Sequence, residues 1–277
     1  MNNLNKFGLP SGLGGNQNSF SRPTGVYQVP TDFVELPSQG KFYSKNSPLY
    51  GAEKLEIKYM TAREEDLLVS PALQKEGIAI DRVIESLLVN KDIRAKELLV
   101  GDKTAILLNA RKNAYGEEYQ FFYVCKNCGK ECESVKNLSE IGIKNILEDE
   151  SCKFTENGTL LITLPKTNSI VELKMLTGED ESLIEKMVEK RLKNNLPSEA
   201  LLIRYRQMIV SVNGVNDIET IVSFINSLPI ADSVFLRKKY SEFSPDVEFK
   251  FSEECKHCSV ENEGDVPISA NFFWPNV

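Results

Sequence analysis

Four cysteines stand in two pairs of identical spacing, Cys125-Lys126-Asn127-Cys128 and Cys255-Lys256-His257-Cys258. Two residues between thiols let both sulfurs of a pair turn inward on one tight knuckle. Two such knuckles supply the four thiolates of a tetrahedral zinc site, each about 2.3 Å from the metal. Gly129, directly after the first pair, suits the backbone turn such a knuckle needs. A four-cysteine set leaves no coordination position for water, so the chemistry it implies is structural. The predicted ligands are Cys125, Cys128, Cys255 and Cys258, and the predicted cofactor is a structural Zn2+.

Other uses of these thiols fit less well. Two redox motifs would need a helix starting at each pair in a thioredoxin-like setting, whereas strand-like runs flank both. Disulfides require an oxidising compartment, and the first residues lack the apolar core of an export signal, so the cytoplasm of the producing cell is the expected address. Cys132 and Cys152 have no partner at ligand spacing and read as packed free thiols. His257, the only histidine, lies inside the second knuckle and is expected to point outward. A lone histidine leaves little for acid–base or metal chemistry elsewhere. There is no Gly-rich phosphate loop, nucleophile elbow or His-Glu-x-x-His helix. Carboxylates such as Glu64, Glu65, Asp66 and Glu179, Asp180, Glu181 sit at helix starts, where the helix dipole accounts for them. The chain reads as a non-enzyme.

The elements that must position the thiols are strands. Tyr119–Val124 and Val247–Phe251 each lead into a pair, so two hairpins are expected to present their knuckles side by side. Residues 129–254 lie between them, far more than the roughly 15–20 of an ordinary zinc ribbon, which makes the metal a clamp between distant segments. Within and around that excursion, Lys54–Met60 alternates like a half-buried strand, and Thr61-x-x-Glu64 is a capping box ahead of a helical run over about 61–115. A short helix is expected near 138–148, strands over Thr159–Leu164 and Ser169–Lys174, and helices over about 177–242, opening at Thr177, Pro197, Asp217 and Ile230. Val266–Pro275 reads as a final strand.

The expected fold is α+β, with a helical region inserted between the arms of a small antiparallel β core, about 117–137 and 246–275, closed by a four-Cys zinc-ribbon-like site. The strands before and after the excursion are expected to meet in one sheet. Residues 1–33, rich in Asn, Gly, Ser and Pro, read as a flexible arm, and 34–277 as a single domain. The 277 residues, 41% hydrophobic, are enough for a sizeable core. A net charge of -7 opposes general affinity for nucleic acid phosphates, and no apolar run is long enough to span a bilayer.

A chain of motifs also resembles a known family. Val34-Glu35-Leu36-Pro37-Ser38-x-Gly40-x-Phe42-Tyr43 and Tyr59-Met60-Thr61-Ala62-Arg63-Glu64-Glu65-Asp66-x-Leu68-x-Ser70-Pro71 resemble the T-even-type bacteriophage baseplate hub assembly family. The likeness continues through Asp81-Arg82, Leu98-Leu99-x-Gly101-Asp102, Ala110-Arg111 and Tyr115-Gly116 into Cys125-x-x-Cys128-Gly129, and more loosely into the second pair and Phe272-Phe273-Trp274-Pro275. The resemblance implies a hub component of a contractile-tailed phage, or a chaperone of hub assembly, working in the host cytoplasm and contacting other baseplate hub or tail proteins. It brings no catalytic residues. Phe42, Tyr43, Arg63, Phe272, Phe273 and Trp274 are the expected partner contacts, chosen for aromatic and motif density. The alternative is a zinc-ribbon nucleic-acid-binding or transcription regulatory protein, with Lys126, Lys130 and Lys256 placing positive charge at the knuckles.

Overall fold

The computed structural model describes residues 28–144, 146, 152–266 and 270–273. The chain opens with β1 (Thr31–Glu35) and β2 (Lys54–Lys58), paired antiparallel with Val34 opposite Leu55. The expected arm boundary at 33 therefore falls inside a strand. Thr61 then caps α1 (Ala62–Val69) through the reciprocal box with Glu64, as its spacing predicts. Short helices α2 (Pro71–Lys75) and α3 (Ala79–Leu87) follow, then a 3-10 turn at Ala95–Glu97 and the long α4 (Val100–Tyr115). Val83, Ile84 and Leu87 of α3 and Ile106, Leu108 and Ala110 of α4 enter the core.

Two hairpins carry the cysteine pairs: β3 (Glu118–Val124) with β4 (Glu131–Asn137), and, far along the chain, β9 (Lys250–Glu254) with β10 (Glu261–Asp265). Each is a separate two-stranded sheet, which corrects the expectation of one shared sheet. They meet face to face through aromatic rings: Tyr119, Phe121 and Tyr123 point to one side of β3 because strand side chains alternate. Tyr119 meets Phe249 at 6.1 Å, Phe121 meets Phe251 at 5.2 Å and Tyr123 meets Phe251 at 4.8 Å between centroids.

The excursion between the hairpins is not simply helical. β5 (Cys152–Phe154), β6 (Leu160–Thr163), β7 (Ile170–Leu173) and β8 (Ile209–Val212) form a four-stranded antiparallel sheet in chain order. β8 lies inside the span expected to be all helix. Around this sheet run α5 (Gly178–Lys193), α6 (Ala200–Met208), α7 (Ile218–Ser227) and α8 (Ile230–Phe243). α6 begins three residues after Pro197, with Glu199 at a positive φ of 49° as its N-cap. The helix expected near 138–148 is only a 3-10 turn at Leu138–Glu140; Ile143 then bridges Val247, and residues 147–151 lie outside the described ones. The final segment is a 3-10 turn at Ala270–Phe273, not a strand.

Two buried charges tie these parts to α4. Asp102, in its first turn, accepts from Ser38 N at 3.0 Å, Ser38 Oγ at 2.7 Å and the Tyr43 hydroxyl at 2.6 Å, while that hydroxyl accepts from Leu99 N. Burial pushes the Asp102 carboxyl above the usual range, against the pull of these three donors. Arg111, in the penultimate turn of α4, donates from Nε to Phe272 O at 2.7 Å and from its other nitrogens to Gly116 O and Glu118 O, and its guanidinium lies 5.1 Å from the Tyr115 ring. A guanidinium satisfies three carbonyls at once from one rigid planar fork, a fixed geometry that the rotating ammonium of lysine lacks. Arg111→Ala leaves those carbonyls without their donor and opens a void, and should lower unfolding free energy by about 3 kcal/mol. Arg94→Ala, at a two-thirds exposed side chain, should change it by less than about 0.5 kcal/mol in the same denaturant titration.

Candidate metal centre

The two knuckles are built alike. In the first, Cys125 N donates to Lys130 O and Gly129 N to Cys125 O, both at 2.9 Å; in the second, Cys255 N donates to Val260 O and Ser259 N to Cys255 O, again at 2.9 Å. The turn requires a left-handed residue just after each pair, filled by Gly129 at φ 69° and by Ser259 at φ 56°. Glycine takes that conformation freely, whereas serine adopts it at a cost of about 1 kcal/mol.

Facing each other across the ring stack, the knuckles bring the Sγ atoms of Cys125, Cys128, Cys255 and Cys258 within 4.8 Å of one another. Cys125 lies 3.7 Å from Cys258 and Cys128 3.7 Å from Cys255, so each close pair spans the two hairpins. Cys125 and Cys255 are buried at the base while Cys128 and Cys258 lie nearer the surface. His257 contributes its backbone N–H, which donates to Cys255 Sγ at 3.4 Å, and its side chain is exposed, as expected.

Thiols this close cannot all ionise without a cation among them, and their affinities for protons split accordingly. The N–H groups of Cys128 and Asn127 and the Asn262 amide draw the Cys125 thiol down to about 6 from its ordinary 9.0. For Cys128 the pull of the Lys130 amide is outweighed by burial and by the thiols of Cys125, Cys258 and Cys255, which push it up to about 11. Four sulfurs at this separation are a donor set of the kind that takes a soft or borderline divalent ion.

Two supporting side chains occupy matching places, each four residues after the second cysteine of its pair. Asn262 on β10 is 2% exposed; its Oδ1 accepts from Lys126 N at 3.0 Å and its Nδ2 reaches Cys125 Sγ at 3.5 Å and Val260 O at 2.8 Å. Cys132 on β4 lies 3.6 Å from Cys255 Sγ. Each hairpin thus sends one side chain to the first cysteine of the other. Cys132 is thus packed, as expected, and what it packs against is the cluster itself, whereas the role of Asn262 does not show in the sequence reading. The equal offsets of the two residues from their pairs are the signal that could have found it.

The expected partner residues divide. Phe272 and Phe273 are buried, Phe272 edge-on to Tyr119 at 5.0 Å and to Phe273 at 5.0 Å. Tyr43 is buried with its hydroxyl on Asp102, so all three fill the interior of this chain. Phe42 is half-buried, its ring edge-on to Phe154 at 5.0 Å, and Arg63 is exposed on α1. Trp274 lies outside the described residues. No single helix among the described residues is long and apolar enough to cross a membrane.

A family model described as T4 bacteriophage base plate protein matches residues 29–274. No curated protein and no solved structure matches the chain.

Asn262→Ala should cost about 2 kcal/mol, because a buried N–H and a thiol lose their partner, while the aromatic stack is left in place; chemical denaturation measures it. In metal-free protein the thiolate absorbance should show a first step of one thiol near pH 6, and Cys125→Ser should abolish that step. A thiol lowered from 9.0 favours the folded state above its unfolded value, a contribution that is lost as the pH falls through about 6.

Proposed function

The chain belongs to the T4 bacteriophage base plate protein family, and on that premise we propose that it is a baseplate hub component or a chaperone of hub assembly, acting by protein–protein contact around a structural zinc. A member of this family is a structural protein of the phage baseplate, and its partners are other baseplate or tail proteins. The finer role, hub over other baseplate positions, rests on the motif run from Val34 to Gly129. Assembly in the host cytoplasm follows from it as part of the proposal.

The observation that carries the zinc is the convergence of four thiols from two hairpins, with amide donors already aimed at the sulfurs. Cys125, Cys128, Cys255 and Cys258 would hold the ion, and Asn127 and Asn262 would orient the sulfurs of Cys258 and Cys125. All four positions of a tetrahedral ion would be filled by protein, which leaves none for a reacting water and makes the ion a staple. The nucleic-acid alternative draws on Lys126, Lys130 and Lys256, but Lys126 Nζ is engaged with Glu263 O, and Glu131, Glu254, Glu261 and Glu263 surround the knuckles. That mixture offers no basic face to a phosphate backbone.

Purified with the neighbouring tail proteins of the phage, the chain should co-elute with a baseplate protein and carry one zinc per chain in mass-resolved chromatography with metal analysis of each peak. Cys125→Ser or Cys258→Ser should release the metal and loosen the contact between hairpins, whereas Cys132→Ser should retain it. A lone peak that shifts only on adding DNA would replace the proposal with the nucleic-acid reading.

A further inference from the structure

An apolar cleft of about 540 Å³ opens between the end of β2, α1 and α3. Its walls include Tyr59, Leu67 and the buried Leu87, and its rim carries Lys58, Arg63, Arg82 and Lys91 against the carboxylates of Glu64 and Glu85. Both carboxylates are already committed. Glu64 is buried and closes the α1 capping box, accepting from Thr61 N at 2.9 Å and Thr61 Oγ1 at 2.6 Å. Glu85 pairs with Arg82 at 3.2 Å.

Lys58, Arg63 and Lys91 have no carboxylate within ion-pair distance among the described residues. Lys91 is held over the end of α3 by its bonds to Glu85 O at 3.1 Å and Ser86 O at 3.5 Å. Burial lowers its affinity for a proton and the charges of Lys58 and Arg63 lower it further, against the opposing pull of Glu64 and Glu85, so both cations lie within the field felt at Lys91. Like charges gathered on one rim cost stability, and this chain carries a net charge of -7, with acids enough to pair them. Four cations, Lys58, Arg63, Arg82 and Lys91, stand against two carboxylates, Glu64 and Glu85, and this net-positive rim around an apolar floor is complementary to a carboxylate carried beside an apolar side chain.

We propose that this cleft is a docking site for a segment of another baseplate protein in which an Asp or Glu lies within a few residues of an apolar anchor, a proposal that rests on the protein–protein contact reading above. The apolar side chain fills the space over Leu67 and Leu87, and the carboxylate is received by Lys58, Arg63 and Lys91. Residues 1–31 of this chain contain Lys6 and Arg22 and no Asp or Glu, so that segment supplies no carboxylate to the rim. An apolar floor is also a poor match for a phosphodiester backbone, whose recognition needs donors along its length.

The test places the photoreactive p-benzoylphenylalanine at Tyr59 of the full chain, in cells assembling the phage, and sequences the crosslinked peptides. The expected product is one peptide from another baseplate protein with an acid within a few residues of the crosslinked apolar side chain. Lys58→Glu combined with Arg63→Glu should reduce its yield at least about tenfold. Lys186→Glu with Lys190→Glu, the same charge change on the exposed face of α5, should leave the yield unchanged. Circular dichroism melting of both double variants confirms that each remains folded. Crosslinks to a peptide without an acid, to a second copy of this chain or to nucleic acid, no crosslink, or a yield indifferent to the charge reversal would each overturn the docking proposal. Co-elution with a baseplate protein in any of those cases would leave the proposed function standing, so the two can fail separately.

Discussion

Everything in this fold depends on closing the chain upon itself at the face between two small hairpins. Bringing residues 129 and 254 together costs roughly 4–5 kcal/mol of loop entropy, since that cost grows only with the logarithm of length. Three cross-hairpin ring contacts, Tyr119–Phe249, Phe121–Phe251 and Tyr123–Phe251, contribute roughly 0.5–1.5 kcal/mol each beyond their burial. The stack alone thus offsets much of the closure cost. A two-stranded hairpin in isolation is marginal in water, so each hairpin needs the other as its second layer. On the proposed reading, zinc binding to the four thiols adds a term larger than either, and a divalent ion would also relieve the conflict among four thiols that cannot ionise together.

The stack is anchored to the rest of the molecule through one helix. α4 carries Asp102 near its start and Arg111 near its end, and neither has an ion-pair partner among the described residues. Each is instead neutralised by backbone and hydroxyl groups from elsewhere: Asp102 by the loop after β1, Arg111 by the turn into β3 and by the carbonyl of Phe272. A buried charge satisfied this way accepts only one arrangement of its surroundings, because every displaced donor or acceptor exposes the full desolvation cost. Gly101, beside Asp102, adds a steric condition: any Cβ there would run into the Pro245 carbonyl, so the approach to the second hairpin can lie against α4 only with glycine in that place.

The sequence was most legible where spacing and period coincide. Alternation in Tyr119–Val124 and the two-residue gap in each cysteine pair define the hairpins, and the boxes at Thr61 and Thr177 mark helix starts within a residue. Where one signal stands alone the reading failed. Ile209–Val212 is four residues following directly on α6 with no turn residue between, so its β character shows only through pairing with β7. Phe272 and Phe273 read as strand and as partner contacts because bulk was visible and its destination was not; the Arg111 fork that receives the Phe272 carbonyl lies 161 residues away in the chain. In the sequence Asp102 stands out only as part of the Leu98-Leu99-x-Gly101-Asp102 motif, and only the tertiary structure shows it holding Ser38 and Tyr43. Lone polar residues acquire their roles from distant backbone, which no local pattern encodes.

The burial of those aromatics alters what kind of surface the protein can offer. Tyr43, Phe272 and Phe273 are spent on the interior, and the aromatic rings left exposed among the described residues, Phe33, Tyr50, Tyr59 and Phe122, come from four separate stretches of chain. Rigidity favours recognition by charge in part: Lys91 is held over the end of α3 by backbone carbonyls and is presented without the ordering cost that a mobile lysine would incur on binding. On the docking proposal the cationic rim in an acidic chain would also discriminate, since long-range repulsion turns away acidic surfaces at large while the local field would admit a carboxylate at one place. A baseplate protein that must join particular neighbours in a crowded structure gains more from that contrast than from a broad adhesive face, which would bind before the correct partner arrived.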